Sequence, residues 1–350
     1  METLSPSSAL SASPESFALI DVRSSLEFEQ GHLGKWENYP ILNNEHRHLV
    51  GTCYKEQGSE EAQRLGHQLV QGELKKHIIK GWVDSLKGRT PLVACWRGGL
   101  RSKIACQWIQ EAGFPAVQVE GGYKAMRNLL LPKVEHCPPL LVLTGLTGTG
   151  KTKLIKALKI KNKVDLEHLA AHRGSSFGKE PLRPQPSQAT FENLLAQHLP
   201  PIAHRPLTLV EDESRTIGHC TLPNGVFKEL QKANLVVLEV SLEDRIQNIW
   251  EDYVSLPIDL LGKEATLSRL GGAITRLKPR LGKELTLQVQ QALKVAMQQE
   301  GPSAHASWIE PLLSHYYDPL YTKSMKPRAH QVVHRGSFEE CQHYLENHLR

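Results

Sequence analysis

The sequence predicts an α/β protein built as two consecutive domains. Three observations carry this. A chain of 350 residues is longer than one ordinary core serves. Short apolar runs alternate with stretches of helical periodicity along most of its length. Two of the resulting strand–turn–helix units hold glycine-rich turns with chemistry in them, one around Cys95 and one around Lys151.

Residues 1–15 are rich in Ser, Ala and Pro, with neither a charged start nor an apolar block. A loose N-terminus is expected there, not an export signal. Residues 17–23, Phe-Ala-Leu-Ile-Asp21-Val-Arg23, read as a short strand ending in a charged turn. Residues 24–34, with Glu27 and Phe28 inside and Gly31 and Gly34 at the end, read as a short helix. An insert at 50–58 and an amphipathic segment at 60–79 follow. Cys53 in that insert is either a second thiol near the site or a partly buried loop residue.

The stretch Pro91-Leu-Val-Ala-Cys95-Trp-Arg-Gly-Gly-Leu-Arg-Ser102 begins as a buried strand. From Arg101 onward Ile104, Ala105, Trp108, Ile109 and Ala112 recur at helical spacing and stop at Gly113. Cys95 thus lies in a two-glycine loop just before a helix N-terminus, where loop amides and the helix's partial positive charge favour a thiolate. An unperturbed thiol titrates near ~8.5, and such surroundings lower it. Arg97 and Arg101 add cations that could hold an anionic substrate. A buried structural thiol is the alternative, and it is the reading for Cys106.

The blocks Asp21-Val-Arg23, Glu27-Phe28, Gly31-His32-Leu33, the strand–Cys–loop–helix unit and Gly121-Gly122 together resemble the rhodanese family of sulfurtransferase domains. The resemblance covers about residues 16–133 and implies a rhodanese-like α/β domain, with Cys95 as nucleophile and Asp21 and Arg23 supporting it. The loop departs from the family's Cys-x-x-Gly-x-Arg-Ser. Gly98-Gly99-Leu100 makes it Cys-x5-Arg, the spacing by which Cys-dependent phosphatases wrap a phosphate. A wider loop suits a tetrahedral oxyanion such as a thiophosphate or selenophosphate, and it keeps phosphatase chemistry as a rival.

Residues 131–139 hold three prolines and mark the boundary, with 134–139 as a stiff linker. The second domain, 140–350, opens on the strand Leu140-Leu-Val-Leu-Thr144. Gly145-x4-Gly150-Lys151-Thr152 follows, then a helix marked by Leu154, Ile155 and Leu158. This is a Walker A P-loop in its strand–loop–helix setting. Gly145, Gly148 and Gly150 let amides approach phosphate oxygens, Lys151 bridges them, and Thr152 can hold magnesium. A strand at 207–210 runs into Glu211-Asp212-Glu213-Ser214-Arg215, where a Walker B carboxylate would lie. Another strand is expected at 235–240.

Between these, Asp165, His172, Arg173, Ser175 and Ser176 lie in a segment too polar and small for core, read as a functional loop. Residues 185–188 open a further helix. Arg269, Arg276, Lys278, Arg280 and Lys283 stand among glycines. They form either a solvated, flexible surface or a lid and phosphate-backbone contact for RNA. The aromatics of 315–321 either stack on an unpaired base or pack the end of a helical C-terminal part.

Composition narrows the classes. No apolar run approaches the ~20 residues a membrane span needs. Six scattered cysteines without a Cys-x-x-Cys pair give neither a disulfide framework nor a structural zinc site. The net charge of +5 comes mostly from the second half, where Lys and Arg number 26 against 22 Asp and Glu, compared with 16 against 15 up to residue 138. That permits a polyanionic partner without requiring one.

Taken together, Cys95-Trp-Arg-Gly-Gly-Leu-Arg-Ser, Ala171-His-Arg-Gly-Ser-Ser-Phe-Gly, Gln185-Pro-Ser-Gln and Glu211-Asp-Glu-Ser-Arg-Thr-Ile-Gly closely resemble the tRNA 2-selenouridine synthase family, from about residue 16 to 325. The resemblance implies modification of the wobble uridine of tRNAs for Lys, Glu and Gln. On it, 2-thiouridine is geranylated from geranyl diphosphate and then selenated from selenophosphate. Cys95 is implied as a selenylated intermediate, with Arg97 and Arg101 holding phosphate and the P-loop serving the prenyl diphosphate. A partner supplying selenophosphate goes with the resemblance, and a monomer is expected; beyond the magnesium that the P-loop suggests at Thr152 no tightly bound cofactor is expected, and the lack of an export signal points to the cytoplasm. Two other classes stay open on the residues alone: a Cys-dependent phosphatase fused to a small-molecule P-loop kinase, and a non-catalytic nucleotide-gated adaptor.

Overall fold

The structure, a computed structural model, describes residues 2–349. Its contacts divide the chain into two compact units, Met1–Lys133 with Ser187–Gln197, and Val134–Pro186 with His198–Arg350. Each is α/β around a parallel sheet.

The first unit's sheet runs Glu2–Leu4, Val117–Val119, Thr90–Ala94, Phe17–Asp21, Glu37–Asn38, every neighbouring pair parallel. A parallel sheet is covered on both faces, so its central strands read as unbroken apolar runs. Ile20, Val93, Trp82, Cys106, Trp108 and Ile109 share one core. The short helix Ser25–Glu29 is fixed by a capping box, Ser24 Oγ accepting from Glu27 N and the Glu27 carboxylate accepting from Ser24 N.

Three expectations are corrected here. The N-terminal residues are ordered, with Glu2–Leu4 pairing alongside Val117–Val119 and a helix at Pro6–Leu10. Ser5 caps that helix and Pro6 takes its first position, a start signal the Ser/Ala/Pro composition conceals. Residues 50–57 belong to the helix Asn44–Gln57, capped by Asn43 and closed by Gly58, so Cys53 sits on a helix and not in a loop. The helix Gly122–Glu135 runs through Pro132, so regular structure continues into the stretch read as linker. Buried Leu130 and Val134 anchor it on either side of the proline.

The sequence also misses that Ser187–Gln197 returns to the first unit. On the helix Gln188–His198, Asn193 Nδ2 donates to His32 O at 2.8 Å and to Tyr123 Oη at 3.0 Å. Thr190 Oγ1 accepts from His32 N, and Arg127 pairs with Glu192. Gly31 is required there, since a Cβ would come within 2.7 Å of Tyr123 Oη and 2.9 Å of Ala189 Cβ.

The second unit's sheet runs Val332–Gly336, Asn234–Leu238, Leu140–Thr144, Thr208–Glu211, Lys163–Val164, again all parallel. Beside it a helical core joins Leu270, Ile274 and Leu277 of Lys263–Leu281, Val289 and Leu293 of Lys283–Ala296, and Trp308, Ile309 and Leu312 of Pro302–Leu312. The basic stretch expected as a flexible surface or lid therefore lies on packed helices, Arg269 to Arg280 on the first and Lys283 at the start of the second. Gly271 and Gly272 inside it cost about 1 kcal/mol each relative to alanine, offset by the apolar face their neighbours bury. Among the described residues no helix is long and apolar enough to cross a membrane.

Candidate functional sites

Each unit holds one candidate site. In the first, Cys95 follows the strand Thr90–Ala94 and is buried, 3% exposed. The helix Leu100–Glu111 starts five residues later, and its first backbone bond runs from Lys103 N to Gly99 O. The amides of Arg97 to Arg101 thus precede the helical ladder, as the first amides of a helix do. Cys95 Sγ lies 3.2 Å from Ser102 Oγ, and the buried Gln118 amide donates to Gly98 O at 2.7 Å and to Ser102 Oγ at 2.9 Å.

Tight backbone contacts brace the loop. Gly98 has φ +60°, and a Cβ there would fall 2.5 Å from Val119 O. At Gly122, φ +56°, it would fall 2.1 Å from Cys95 O, which accepts from Tyr123 N at 2.9 Å. Cys106 is a packing thiol as expected: burial, with Cys95 adding to it, pushes it up to about 12. Gln118 escaped the sequence reading, and its one signal was a polar side chain in an otherwise apolar strand.

Arg23 is fully buried and fully spoken for. Its Nε and Nη2 donate to Asp21, Nη2 also to Gly31 O at 2.8 Å, and Nη1 to Glu27 O at 3.2 Å. The guanidinium carbon sits 4.0 Å from the centre of the Tyr123 ring. Asp21 and Arg23 hold the neighbourhood together and present no free charge to it.

Arg101 gives Nη1 and Nη2 to the two oxygens of Glu27, at 2.5 and 3.1 Å, and Arg47 adds a contact at 3.2 Å. Burial alone would raise Glu27, but the hydrogen bond and charge of Arg101, with Arg47 behind it, bring its carboxyl down to about 2. Arg97 is exposed and forms no ion pair among the described residues.

In the second unit the P-loop joins Leu140–Thr144 to the helix Lys151–Ala157. Gly145 could carry no side chain, since a Cβ would meet Leu238 O at 2.6 Å; at Gly148 it would meet Arg245 O at 2.9 Å. Lys151 Nζ donates to Gly145 O at 2.9 Å, and Thr152 Oγ1 to Glu167 Oε2 at 3.0 Å. Arg245 braces the loop from behind, donating to Thr147 O at 2.8 Å and pairing with Asp318.

The P-loop floors a cleft of about 570 Å³. Gly145, Gly148, Gly150, Lys151 and Thr152 of the P-loop line it with Arg173, Ser175, Ser176 and Glu213, and so does Arg280, which the sequence placed in the basic stretch with the RNA candidates. Tyr316, Tyr317 and Tyr321 of the aromatic run line it too, and so do Glu167, Asp252 and Tyr253, which the sequence did not single out. Tyr253 lies outside that run and carried no such aromatic signal. Tyr253 and Tyr316–Tyr317 come from two π-helical turns, Glu251–Ser255 and Leu313–Tyr317, a distortion frequent at functional sites.

Carboxylates crowd this floor. Burial first, then the charge of Glu167, raises Glu213; burial, with Asp165 and Glu167, raises Glu211 well above the ordinary carboxyl range. Glu211 lies wholly buried beneath the cleft and accepts from Leu166 N at 2.8 Å. Asp212 is occupied by Thr144 Oγ1 and Arg328. Among the described residues no group of three or more His, Cys, Asp or Glu is arranged to hold a metal unaided. The oxygen donors of Thr152 and Glu167 do fit magnesium as a partial set, the kind that phosphate oxygens and water complete.

The segment at 172–179 is a tight loop, its ends bridged at His172 and Lys179 and its turn closed by Gly178 N on Ser175 O. Two of the basic residues hold it: Arg276 Nη2 donates to Ser176 O at 2.9 Å and Arg269 Nη1 to Lys179 O at 3.1 Å. Arg173 pairs with Asp252 at 2.6 Å. Lys278 and Lys283 are exposed and away from the cleft lining. Asp165 caps the helix Leu166–Ala170, and Arg215 donates to Asn224 at 2.6 Å; neither lines the cleft, nor does His172.

Residues 138–350 match the family described as the tRNA 2-selenouridine synthase AAA domain. A Shewanella halifaxensis protein named tRNA 2-selenouridine synthase is 41% identical over 350 residues, 94% of this chain and 94% of its own. One of the same name from Shewanella pealeana is 39% identical over 350 residues, with the same coverage. The crystal structure of the N-terminal domain of a Clostridium difficile 630 protein described as ATP/GTP binding is 31% identical over 37% of this chain and 99% of its own, at a TM-score of 0.35.

Proposed function

We infer the reaction from a membership: this chain belongs to the tRNA 2-selenouridine synthase family. The proposed activity is conversion of 2-thiouridine to 2-selenouridine in tRNA, at the wobble position of tRNAs for Lys, Glu and Gln. It proceeds in two steps, with the first unit read as a rhodanese-like selenium-transfer domain. The carrying observation is the pairing, on one chain, of a buried cysteine in an amide-rich turn with a P-loop cleft that has a polar floor and a tyrosine wall.

In the first step the thiouridine sulfur attacks the allylic carbon of geranyl diphosphate. A carbon–sulfur bond forms, the carbon–oxygen bond breaks, and diphosphate keeps the electron pair. Lys151 and the P-loop amides stabilise that departing charge, and Arg173 and Arg280 line the same cleft. Thr152 and Glu167 would hold magnesium, which when bound neutralises part of the phosphate charge. Nothing in this chemistry hydrolyses a nucleotide.

In the second step Cys95 carries selenium to C2 of the alkylated base. The selenium–carbon bond forms, the C2–sulfur bond breaks, and geranyl thiolate leaves and is protonated. Selenium on a cysteine sulfur is two electrons above the selenide of selenophosphate. Loading Cys95 therefore consumes a disulfide and releases phosphate, and unloading returns two electrons from thiols. Arg97 is the exposed cation available to the donor's phosphate, whereas Arg101 is committed to Glu27. That commitment also disfavours the phosphatase reading, which needs the arginine of Cys-x5-Arg on the phosphate.

The test is mass spectrometry of a 2-thiouridine anticodon stem-loop incubated with geranyl diphosphate, then with selenophosphate and a thiol–disulfide couple. The proposal expects S-geranyl-2-thiouridine and then 2-selenouridine. An unchanged nucleoside, or required ATP turnover, contradicts it.

A further inference from the structure

The first unit holds a second cavity that neither step above uses, an apolar pocket of about 210 Å³. Its walls are Ile104 and Trp108 of the helix Leu100–Glu111, Val50 of Asn44–Gln57, and the face of Ser59–Leu69 that carries Gly66. Its lip is Leu100 and Arg101, the two residues that directly follow the Gly98-Gly99 turn of the Cys95 loop. We propose that this pocket receives the prenyl chain of the S-alkylated base while Cys95 acts on its C2. The inference rests on the two-step reading, which it deepens by assigning the leaving group a binding site.

Three observations support that occupant. The volume exceeds the roughly 150 Å³ that admits a six-carbon benzene ring into an apolar cavity, so it seats most of a branched ten-carbon chain, with the carbons next to sulfur at the mouth. The one guanidinium at the lip is neutralised by Glu27, so the entrance presents a paired ion and not a bare charge to hydrocarbon. Leu100, 43% exposed, leaves an apolar edge in water between the Cys95 loop and the pocket, which a chain lying across it would cover.

The placement has a mechanistic consequence. As the C2–sulfur bond breaks, a chain held in the pocket retains the departing thiolate. A substrate with a short S-alkyl group lacks that hold. Prenyl over methyl is then a selectivity set by the first unit, independent of the P-loop cleft.

Gly66 makes the test clean. Its backbone is ordinary helix, and an added Cβ would meet only Val50 Cγ2, at an uncrowded 3.8 Å. Gly66→Leu therefore grows into the cavity while improving helix propensity, and thermal melting checks that the fold is kept. Purified full-length protein would be given preformed S-geranyl- and S-methyl-2-thiouridine stem-loops with selenophosphate and a thiol–disulfide couple, and kcat/KM for selenouridine measured for each. Wild type is expected to favour geranyl over methyl at least tenfold, and Gly66→Leu to lower that ratio at least tenfold. Equal use of both substrates by wild type, or an unchanged ratio in a folded Gly66→Leu, overturns the pocket assignment and leaves the two-step reading standing. Failure of wild type to convert either substrate removes the two-step reading and the pocket with it.

Discussion

Arg101 and Glu27 form a two-bond ion pair, at 2.5 and 3.1 Å, that ties the helix after the Cys95 loop to the helix after the first central strand. The second arginine of the loop is thus a strut. Glu27 is held near 2, far below the ordinary carboxyl value of 4.5. A depressed folded value means stability that is present above the unfolded value and lost as pH falls through the folded one. Glu27→Gln should therefore lower the melting temperature at pH 7, with the gap to wild type narrowing between about pH 4.5 and 2. A gap constant across that range would show that the pair is not the source.

The Cys95 loop leans on Gly122. Alanine there would set a Cβ 2.1 Å from Cys95 O at a φ of +56°, so Gly122→Ala should lose more than about 1 kcal/mol of stability and nearly all selenation. Gly99→Ala meets nothing within 4 Å and should melt close to wild type. Equal melting temperatures for the two variants would contradict the bracing described.

Lys151 sits over the P-loop with its ammonium on Gly145 O. If it stabilises departing diphosphate, Lys151→Ala should slow geranyl transfer by roughly 10²–10³-fold. Selenation of a preformed S-geranyl stem-loop should keep its wild-type rate. A loss in both steps would mean that the two chemistries share the P-loop.

Arg276 and Arg269 each donate a hydrogen bond to the 172–179 loop, part of which lines the cleft. Arg276→Ala should weaken geranyl diphosphate binding several-fold and leave the salt dependence of tRNA binding unchanged. Lys278, exposed on the same helix, is the residue whose removal should reduce that salt slope by about one. Titrations of tRNA at several salt concentrations separate the two.

The central strands and the P-loop were legible because parallel strands are buried on both sides and the phosphate loop needs glycine at fixed places. Arg173, Ser175 and Ser176 of the cleft lining were legible because polar and small residues interrupted the apolar pattern there, whereas Glu167 was not singled out. The partners of those residues were not. Arg101 looked free because its mate, Glu27, lies 74 positions away. The bonds of Arg269 and Arg276 were hidden because the carbonyls they hold belong to a loop about 90 to 100 residues earlier. The strand at the N-terminus was hidden because its three residues find their pairing only at Val117–Val119.

The measurement that tests the account most directly follows one nucleoside through Cys95→Ala. A 2-thiouridine stem-loop given geranyl diphosphate, selenophosphate and a thiol–disulfide couple should be converted by wild type to 2-selenouridine. Cys95→Ala should stop at S-geranyl-2-thiouridine and accumulate it. Selenouridine from Cys95→Ala at the wild-type rate, or no geranyl intermediate from either protein, would contradict the division of labour between the cysteine loop and the P-loop cleft.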